Sequence, residues 1–288
     1  MNRISIVMPT YNRCAVVLRS LHYLHSLEAD YPIIVVNNAS TDETSAAIRR
    51  YYPRVELVEL DQNIGAVARN NGAARVQTPY VAFTDDDAWW ARGALSRAAD
   101  YFDLHPGLGL VQARILVNHE ERLDPTCAVM AHTPLPRPEG IPGYPILGFV
   151  AATIAVRLSA FQEAGGFDAY MGTGGEEALL AIDLARNGWH LAYLPDVVSH
   201  HYPSDVRDRA YRETEGARNA IWTAWLRRSW RHALKVTGEV TQRSLRDPNM
   251  FRALIEALGG LPRVLSRRRQ VSADLEAQLS RLETMHSS

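Results

Sequence analysis

The chain has 288 residues, 47% hydrophobic and 22% charged, with a net charge of −1, which suits one large globular domain with an appendage or two small domains. Two cysteines, Cys14 and Cys127, are too few for a disulfide framework and fit a reducing compartment; no apolar run reaches membrane-spanning length. The N-terminus carries no signal-peptide core, so a cytoplasmic protein is expected.

Ile4 to Met8 is an apolar, β-branched run that predicts a buried strand, followed by a Pro9-Thr10-Tyr11-Asn12 loop. Val17, Leu21 and Leu24 then recur at helical spacing within 13–27. Ile33 to Val36 predicts a second strand, opening into Asn37-Asn38-Ala39, and Ser40 with Glu43 reads as a capping box for a helix toward Tyr52. Val55 to Leu60 predicts a third strand, and Asn63-Ile64-Gly65 leads into a helix through Val76. Tyr80 to Phe83 predicts a fourth strand, which stops at Asp85-Asp86-Asp87.

Strands and helices alternating at this spacing predict an α/β fold with a doubly wound, mostly parallel, Rossmann-like sheet. Right-handed crossovers put all four strand ends on one rim, where such sheets bind ligands. Three adjacent carboxylates repel one another, so the triplet is either a solvated acidic turn or half of a cation site. Oxygen ligands favour Mg²⁺ or Mn²⁺. Alone, the triplet reads as a turn; polar residues at the other three strand ends shift it toward a site.

The second half is less regular. Leu108 to Val117 predicts a strand, and the proline-rich stretch from His119 to Tyr144 reads as a long loop of the kind that forms lids or binding elements. Leu147 to Val156 is strand-like, Ser159 to Ala164 a short helix, and Gly165-Gly166-Phe167-Asp168 a turn. Glu176-Glu177 opens a helix to Asn187, where paired acids suit the helix dipole as well as a site. Trp189 to Leu194 predicts a strand ending at Pro195-Asp196. His200 and His201 follow on an extended segment, where only one of them faces a given site. Trp89, Trp90, Trp222 and Trp225 read as core, with Trp90 a candidate exception because it follows the acidic triplet.

A long helical pattern spans 207–231, and the chain beyond Lys235 reads as helical with a break at Gly259-Gly260-Leu261-Pro262. From Ile221 onward 12 basic residues stand against 6 acidic ones, including Arg267-Arg268-Arg269. A solvated helical tail accounts for that excess, as does peripheral contact with an anionic membrane surface. Leu275, Leu279 and Leu282 form a stripe suited to docking on the protein body or a partner helix rather than to anchoring in a membrane. No aromatic-interleaved basic motif supports a nucleic-acid partner.

Taken in order, Ser5 to Arg13, Val36 to Asp42, Asn63-Ile64-Gly65 with Arg69-Asn70-Asn71-Gly72, Asp85-Asp86-Asp87 at a DXD position, Gly165 to Asp168, Gly175-Glu176-Glu177 and His200-His201 resemble the motifs of family 2 glycosyltransferases with the GT-A fold, in a bacterial rhamnosyltransferase-like branch. The resemblance implies a GT-A domain over 1–225 and a helical, basic extension over 226–288. It implies metal-dependent, inverting transfer from a nucleotide-diphosphate sugar, UDP- or dTDP-linked, to a hydroxyl acceptor. That acceptor is a cell-surface glycan, a glycolipid or other lipid-linked molecule, or a small secondary metabolite. A place at the inner face of the membrane is compatible with this.

By the same resemblance, Pro9, Thr10, Tyr11 and Asn37 serve the base, Asp85 holds the ribose with Asp86 beside it, and Arg69 lies near the nucleotide. Asp87 ligates the divalent cation, Mn²⁺ or Mg²⁺, with His200 ahead of His201 as the completing group. Glu177 is the lead catalytic base and Glu176 the second choice, while Asp168 and Trp90 are candidate acceptor contacts. Two departures stand out: Asn37 replaces a common Asp, and Glu177 replaces the Asp usual at the base position. They motivate a second reading, a nucleotide-sugar-binding scaffold without catalysis. A nucleotidyltransferase is disfavoured, because no glycine-rich N-terminal loop with following basic residues is present and Lys235 is the only lysine.

Overall fold

The computed structural model describes residues 2–203 and 209–287. The first half follows the expected alternation: β1 (Ile4–Thr10), α1 (Cys14–His25), β2 (Ile33–Asn37), α2 (Thr44–Tyr51), β3 (Glu56–Glu59), α3 (Ala68–Ala73) and β4 (Tyr80–Thr84). Then come β5 (Ala88–Trp90), α4 (Ala94–Leu104), β6 (Leu108–Val117), β7 (Arg122–Leu123), α5 (Pro125–Ala131), β8 (Tyr144–Pro145), β9 (Thr153–Arg157), α6 (Leu158–Ala164), α7 (Glu176–Arg186) and β10 (His190–His201). Four helices close the described chain: α8 (Arg209–Arg227), α9 (Trp230–Ser244), α10 (Pro248–Ser266) and α11 (Ala273–Ser287). The first two residues of the long helix expected over 207–231 lie outside the described residues.

The main path of the sheet runs β3-β2-β1-β4-β9-β6-β10-β5. β3, β2, β1 and β4 are mutually parallel; β2, β1 and β4 are the buried runs expected of strands covered on both faces, while β3 at the sheet edge is exposed at Glu56 and Glu59. β9 then inserts antiparallel between β4 and β6, so the second half of the sheet is mixed. Alternation divides the β1 side chains between two cores. Ile4, Ile6 and Met8 pack with Leu21 of α1 and Phe102 of α4, whereas Val7 packs with Ala68 of α3, Phe161 of α6 and Leu180 of α7.

A third cluster joins Met171 and Leu179 to Ile221 and Trp222 of α8 and Leu254 and Val264 of α10. Leu275 and Leu279 of α11 are buried with Ile182 and Val271. The leucine stripe therefore docks on the body of the protein, each fully buried leucine contributing about 1.5–3 kcal/mol.

Several local expectations give way to tertiary packing. Ser40 does not cap α2: its hydroxyl accepts from the Asn12 amide (2.8 Å), and the Asp42 carboxylate accepts from the Thr44 amide (3.1 Å) instead. The long proline-rich loop contains α5, started by Pro125 with Asp124 accepting from the Thr126 amide (2.8 Å). β10 does not end at Pro195 but shifts register between Leu194 and Val198 and continues to His201. α10 runs unbroken through Gly259-Gly260-Leu261-Pro262. Gly260 is there for close approach, since a Cβ on it would lie 2.6 Å from Trp222 of α8 and from the Tyr170 hydroxyl.

Gly260→Ala is accordingly expected to destabilise the fold by about 1–3 kcal/mol, the cost of overpacking a rigid contact. Gly259→Ala, at a position where a Cβ meets nothing within 4 Å, should not. Urea unfolding of the two variants side by side measures the difference.

Candidate active site

The carboxyl ends of β1 and β4 meet the start of α7 around a pocket of about 490 Å³. One side is Pro9, Thr10, Tyr11, Arg13 and Asp85-Asp86-Asp87, and the other is Thr173, Gly174, Glu176 and Glu177. Asn38, Arg69 and His201 also line it. Tyr11 is 43% exposed at the mouth, an accessible ring face of the kind a flat base stacks on.

The three aspartates have different partners. Asp86 is buried and turned toward α1: its carboxylate accepts from Thr10 Oγ1 (2.8 Å) and Arg13 Nη1 (2.5 Å), and its carbonyl accepts from Ser20 Oγ (2.6 Å). Burial pushes its pKa up to about 7, against the pull of Arg13 and with help from the neighbouring Asp87. Asp87 lies between Arg13 Nη2 (2.9 Å) and His201 Nε2 (3.3 Å). Burial opposes its charge, but His201 and Arg13 outweigh that and hold the carboxyl well below the usual range. Asp85 is part-exposed and pairs with Arg69, whose buried guanidinium is also under the influence of Glu176 and Glu177.

His201 is there because β10 pairs antiparallel with β5, setting His201 opposite Ala88, the residue after Asp87. His200 points the other way, stacked over Trp89 with Nδ1 3.7 Å from Glu121, and does not reach the aspartates. The expectation that His200 completes the site is thus corrected to His201. Alternation admits one of the two, and the register shift near Pro195 selects which.

Three other expected site residues lie elsewhere. Asn37 is buried with its amide spent: Nδ2 donates to Ser45 (2.5 Å) and Glu59 (2.7 Å), and Oδ1 accepts from the Ser40 amide (3.0 Å). Its neighbour Asn38 lines the pocket instead. Trp90 is 1% exposed in the core and offers no platform to an acceptor. Asp168 accepts from the Tyr170 amide (2.8 Å) and pairs with Arg267, so it ties a turn to the C-terminal helices. Arg13 and Asn38 went unassigned from the sequence, although each adjoins a motif position on the rim.

The start of α7 is lifted to the rim by Gly172, Gly174 and Gly175, all at positive φ (67°, 94° and 83°), which non-glycine residues adopt only under strain. Asn219 of α8 clamps this loop, donating from Nδ2 to the carbonyls of Met171 (2.8 Å) and Gly174 (2.5 Å). Glu176 is buried, accepts from the Gly174 amide (2.6 Å), and has its pKa pushed up to about 7 by burial and by Glu177. Glu177 sits beside it on the same pocket, half-buried.

Five carboxylates thus share the pocket with two arginines. A diphosphate enters such a site only with added positive charge. Among the described residues no group of three or more His, Cys, Asp or Glu could hold a metal. Asp87 and His201 nonetheless offer an oxygen and an imidazole donor side by side, a partial ligand set that suits a cation sharing its coordination with substrate phosphates.

The mixed sheet and the helices packed on it are those of the GT-A fold. TarS from S. aureus with UDP-GlcNAc superposes with a TM-score of 0.64 at 18% identity over 93% of this chain and 84% of that one. A mannosyltransferase from Pyrobaculum calidifontis with GDP-Man and Mn²⁺ gives 0.57 at 21% identity over 99% and 75%. Residues 5–165, more than half of the chain, match glycosyl transferase family 2, and the protein belongs to that family. Similar curated proteins include a putative teichuronic acid biosynthesis glycosyltransferase, TuaG, of Bacillus subtilis, 32% identical over 34% of this chain and 41% of its own length. The pre-mycofactocin glycosyltransferase of Mycobacterium tuberculosis is 29% identical over 71% of this chain and 44% of its own. The chain therefore spans less than half the length of these relatives.

The buried Glu176 makes stability depend on pH in a defined direction. Its folded pKa of about 7 exceeds the ordinary 4.5, so between these values the unfolded chain binds fewer protons than the folded one. Stability from this group is fully present below 4.5 and falls as pH rises through 7. Glu176→Gln removes the titration, so its melting temperature relative to wild type is expected to be higher at pH 8 than at pH 5, by calorimetry at both.

Proposed function

We propose that this protein is a metal-dependent, inverting glycosyltransferase that moves a sugar from a nucleotide-diphosphate sugar to a hydroxyl acceptor. The observation that carries the reading is that one pocket holds both the strand-end aspartates and the helix-start glutamates. Relatives named as glycosyltransferases and structural neighbours bound to UDP-GlcNAc or GDP-Man support it. In this reading Tyr11 stacks on the base, Asp85 takes the ribose, and Arg13 and Arg69 balance the carboxylates while the diphosphate is absent. Asp87 and His201 hold a divalent cation, which when bound acts as a Lewis acid on the diphosphate. Glu177 accepts the proton of the acceptor hydroxyl as its oxygen attacks the anomeric carbon, and the nucleoside diphosphate departs from the opposite face with the bonding electron pair. Glu176, held by the Gly174 amide, positions that turn rather than taking the proton.

A screen of UDP-, dTDP- and GDP-linked sugars, dTDP-rhamnose included, is expected to raise the melting temperature in the presence of Mn²⁺ or Mg²⁺. A ligand at 100 times its Kd stabilises by about 2.7 kcal/mol. Asp87→Ala should remove the metal dependence of that shift, and Glu177→Gln should lower kcat about 10²- to 10⁴-fold. A donor shift with no turnover on any acceptor supports the scaffold reading instead; no shift with any donor overturns the nucleotide-sugar reading altogether.

Peripheral membrane contact has its best support at the turn between α9 and α10. Leu245 (81% exposed) stands at that turn between Arg243 and Arg246, and Phe251 (55%) and Ile255 (53%) follow on the first turns of α10. Apolar side chains that enter the headgroup region beside arginines suit an anionic surface. The Arg267-Arg268-Arg269 run contributes less than its charge suggests: Arg267 pairs with Asp168, and Arg268 donates to the Trp225 and Arg228 carbonyls (2.6 Å to the latter) while lying over Trp230. Sedimentation with phosphatidylglycerol vesicles is expected to carry the protein down, and phosphatidylcholine vesicles are not. Phe251→Glu should abolish the effect; sedimentation unchanged by it would locate the contact elsewhere or nowhere.

A further inference from the structure

A second cavity, of about 910 Å³, lies directly behind the glutamate pair. Its walls come from α5, residues 146–150, the first turn of α7, and α8, α9 and α11. Val150 lines both this cavity and the rim pocket. Gly175 and Ala178, on either side of Glu176-Glu177, face the cavity while the two acids face the pocket. The first turn of α7 is therefore a partition with carboxylates on one side and an apolar wall on the other.

The lining is dominated by apolar side chains such as Val129, Met130, Phe149, Ala220, Val236 and Leu282. The charged groups at its far end are matched with one another. Arg228 bonds Glu276 (2.9 Å) and Glu283 (2.5 Å), His232 lies 3.5 Å from Glu283, and Lys235 3.8 Å from Glu239. A polyanionic or highly hydroxylated glycan chain finds little to bind there, whereas a hydrocarbon body gains about 25 cal/mol for each Å² removed from water. The volume falls in the range of pockets that enclose drug-sized ligands.

We propose that this cavity is the acceptor site and takes a molecule with an apolar alkyl, prenyl or aryl body, whose hydroxyl passes Val150 to reach Glu177. The proposal rests on the glycosyltransferase reading for the chemistry and on the cavity alone for the class of acceptor. It makes the C-terminal helices part of the substrate site, since α8, α9 and α11 supply the wall opposite α5.

The test uses the full chain and the neutral apolar dye N-phenyl-1-naphthylamine. Saturable binding of one dye per chain is expected, displaced by decyl β-glucoside but not by methyl β-glucoside. Dioleoylglycerol in mixed micelles is the second competitor: displacement by it alone assigns a lipid acceptor, and displacement by decyl glucoside a smaller aglycone. Ala220→Trp and Val129→Glu, both at exposed wall positions, should each weaken dye binding at least tenfold with an unchanged far-UV spectrum. Absence of saturable binding, displacement by methyl β-glucoside, failure of both decyl β-glucoside and dioleoylglycerol to displace the dye, or binding indifferent to both substitutions overturns the cavity assignment. With an identified donor, KM for an alkyl alcohol acceptor should rise at least tenfold in either variant. Transfer that proceeds equally well to methyl glucoside and is unaffected by the variants sinks the apolar-acceptor proposal while leaving the transferase standing. Intact dye binding with no donor binding in the wild type sinks the transferase reading instead.

Discussion

The constraint on which the site depends is the crowding of five carboxylates around a pocket with two arginines. Arg13 bridges Asp86 and Asp87, and Arg69 bridges Asp85 toward the glutamates of α7. Each arginine also ties distant chain segments together. Arg13 begins α1 and reaches the end of β4; Arg69 stands on α3 and reaches across the gap between β4 and α7. Removing one guanidinium leaves carboxylates buried and unbalanced, which costs more than the ion pair itself contributes. The excess that remains is partly relieved by protons, with Asp86 and Glu176 both raised to about 7. In the proposed reading a divalent cation would relieve it further, and the same imbalance would favour a metal–diphosphate pair.

The sequence made the first half legible because β1, β2 and β4 are buried on both faces and read as apolar runs, and because α1 carries a 3.6-residue period at Val17, Leu21 and Leu24. Topology placed Thr10-Tyr11 and Asp85-Asp86-Asp87 on the rim, where they line the pocket, while Asp61-Gln62 at the third strand end do not. What the sequence left hidden depended on parity and long-range packing. His200 and His201 differ by one residue, and the register shift after Leu194 decides which faces Asp87. No local pattern encodes that shift. Asn37 looks like a base contact by position, but Glu59 on the neighbouring strand absorbs its amide. Gly259 to Pro262 reads as a break by propensity, yet contact with Trp222 and Tyr170 holds the helix through it.

The motif residues also divide into two kinds once their partners are known. Asn70 receives the Phe167 amide (3.0 Å) and donates to the Phe167 carbonyl (2.7 Å), so it locks the Gly165–Asp168 turn to α3 and touches no ligand space. Asp168 performs a similar service for Arg267. The distal motifs therefore do two jobs: part of them lines the pocket, and part fixes the frame that holds α7 against the sheet. A sequence pattern reports both with the same strength, and only the hydrogen-bond partners separate them.

That frame extends into the C-terminal helices. Arg227 of α8 makes a buried, two-pronged pair with Asp183 on α7 (2.5 and 2.9 Å), and Asn219 holds the glycine turn from which α7 starts. Between them, the two ends of α7 are fixed by one helix. The carboxylate proposed to take the acceptor's proton thus owes its place to α8, and the apolar wall behind it belongs to α8, α9 and α11. Displacing a reacting group by even 1 Å costs on the order of 10²-fold in rate. In the proposed reading, the helices after the sheet form the second wall of the reaction chamber rather than an appendage, and α7 divides a charged donor side from an apolar acceptor side.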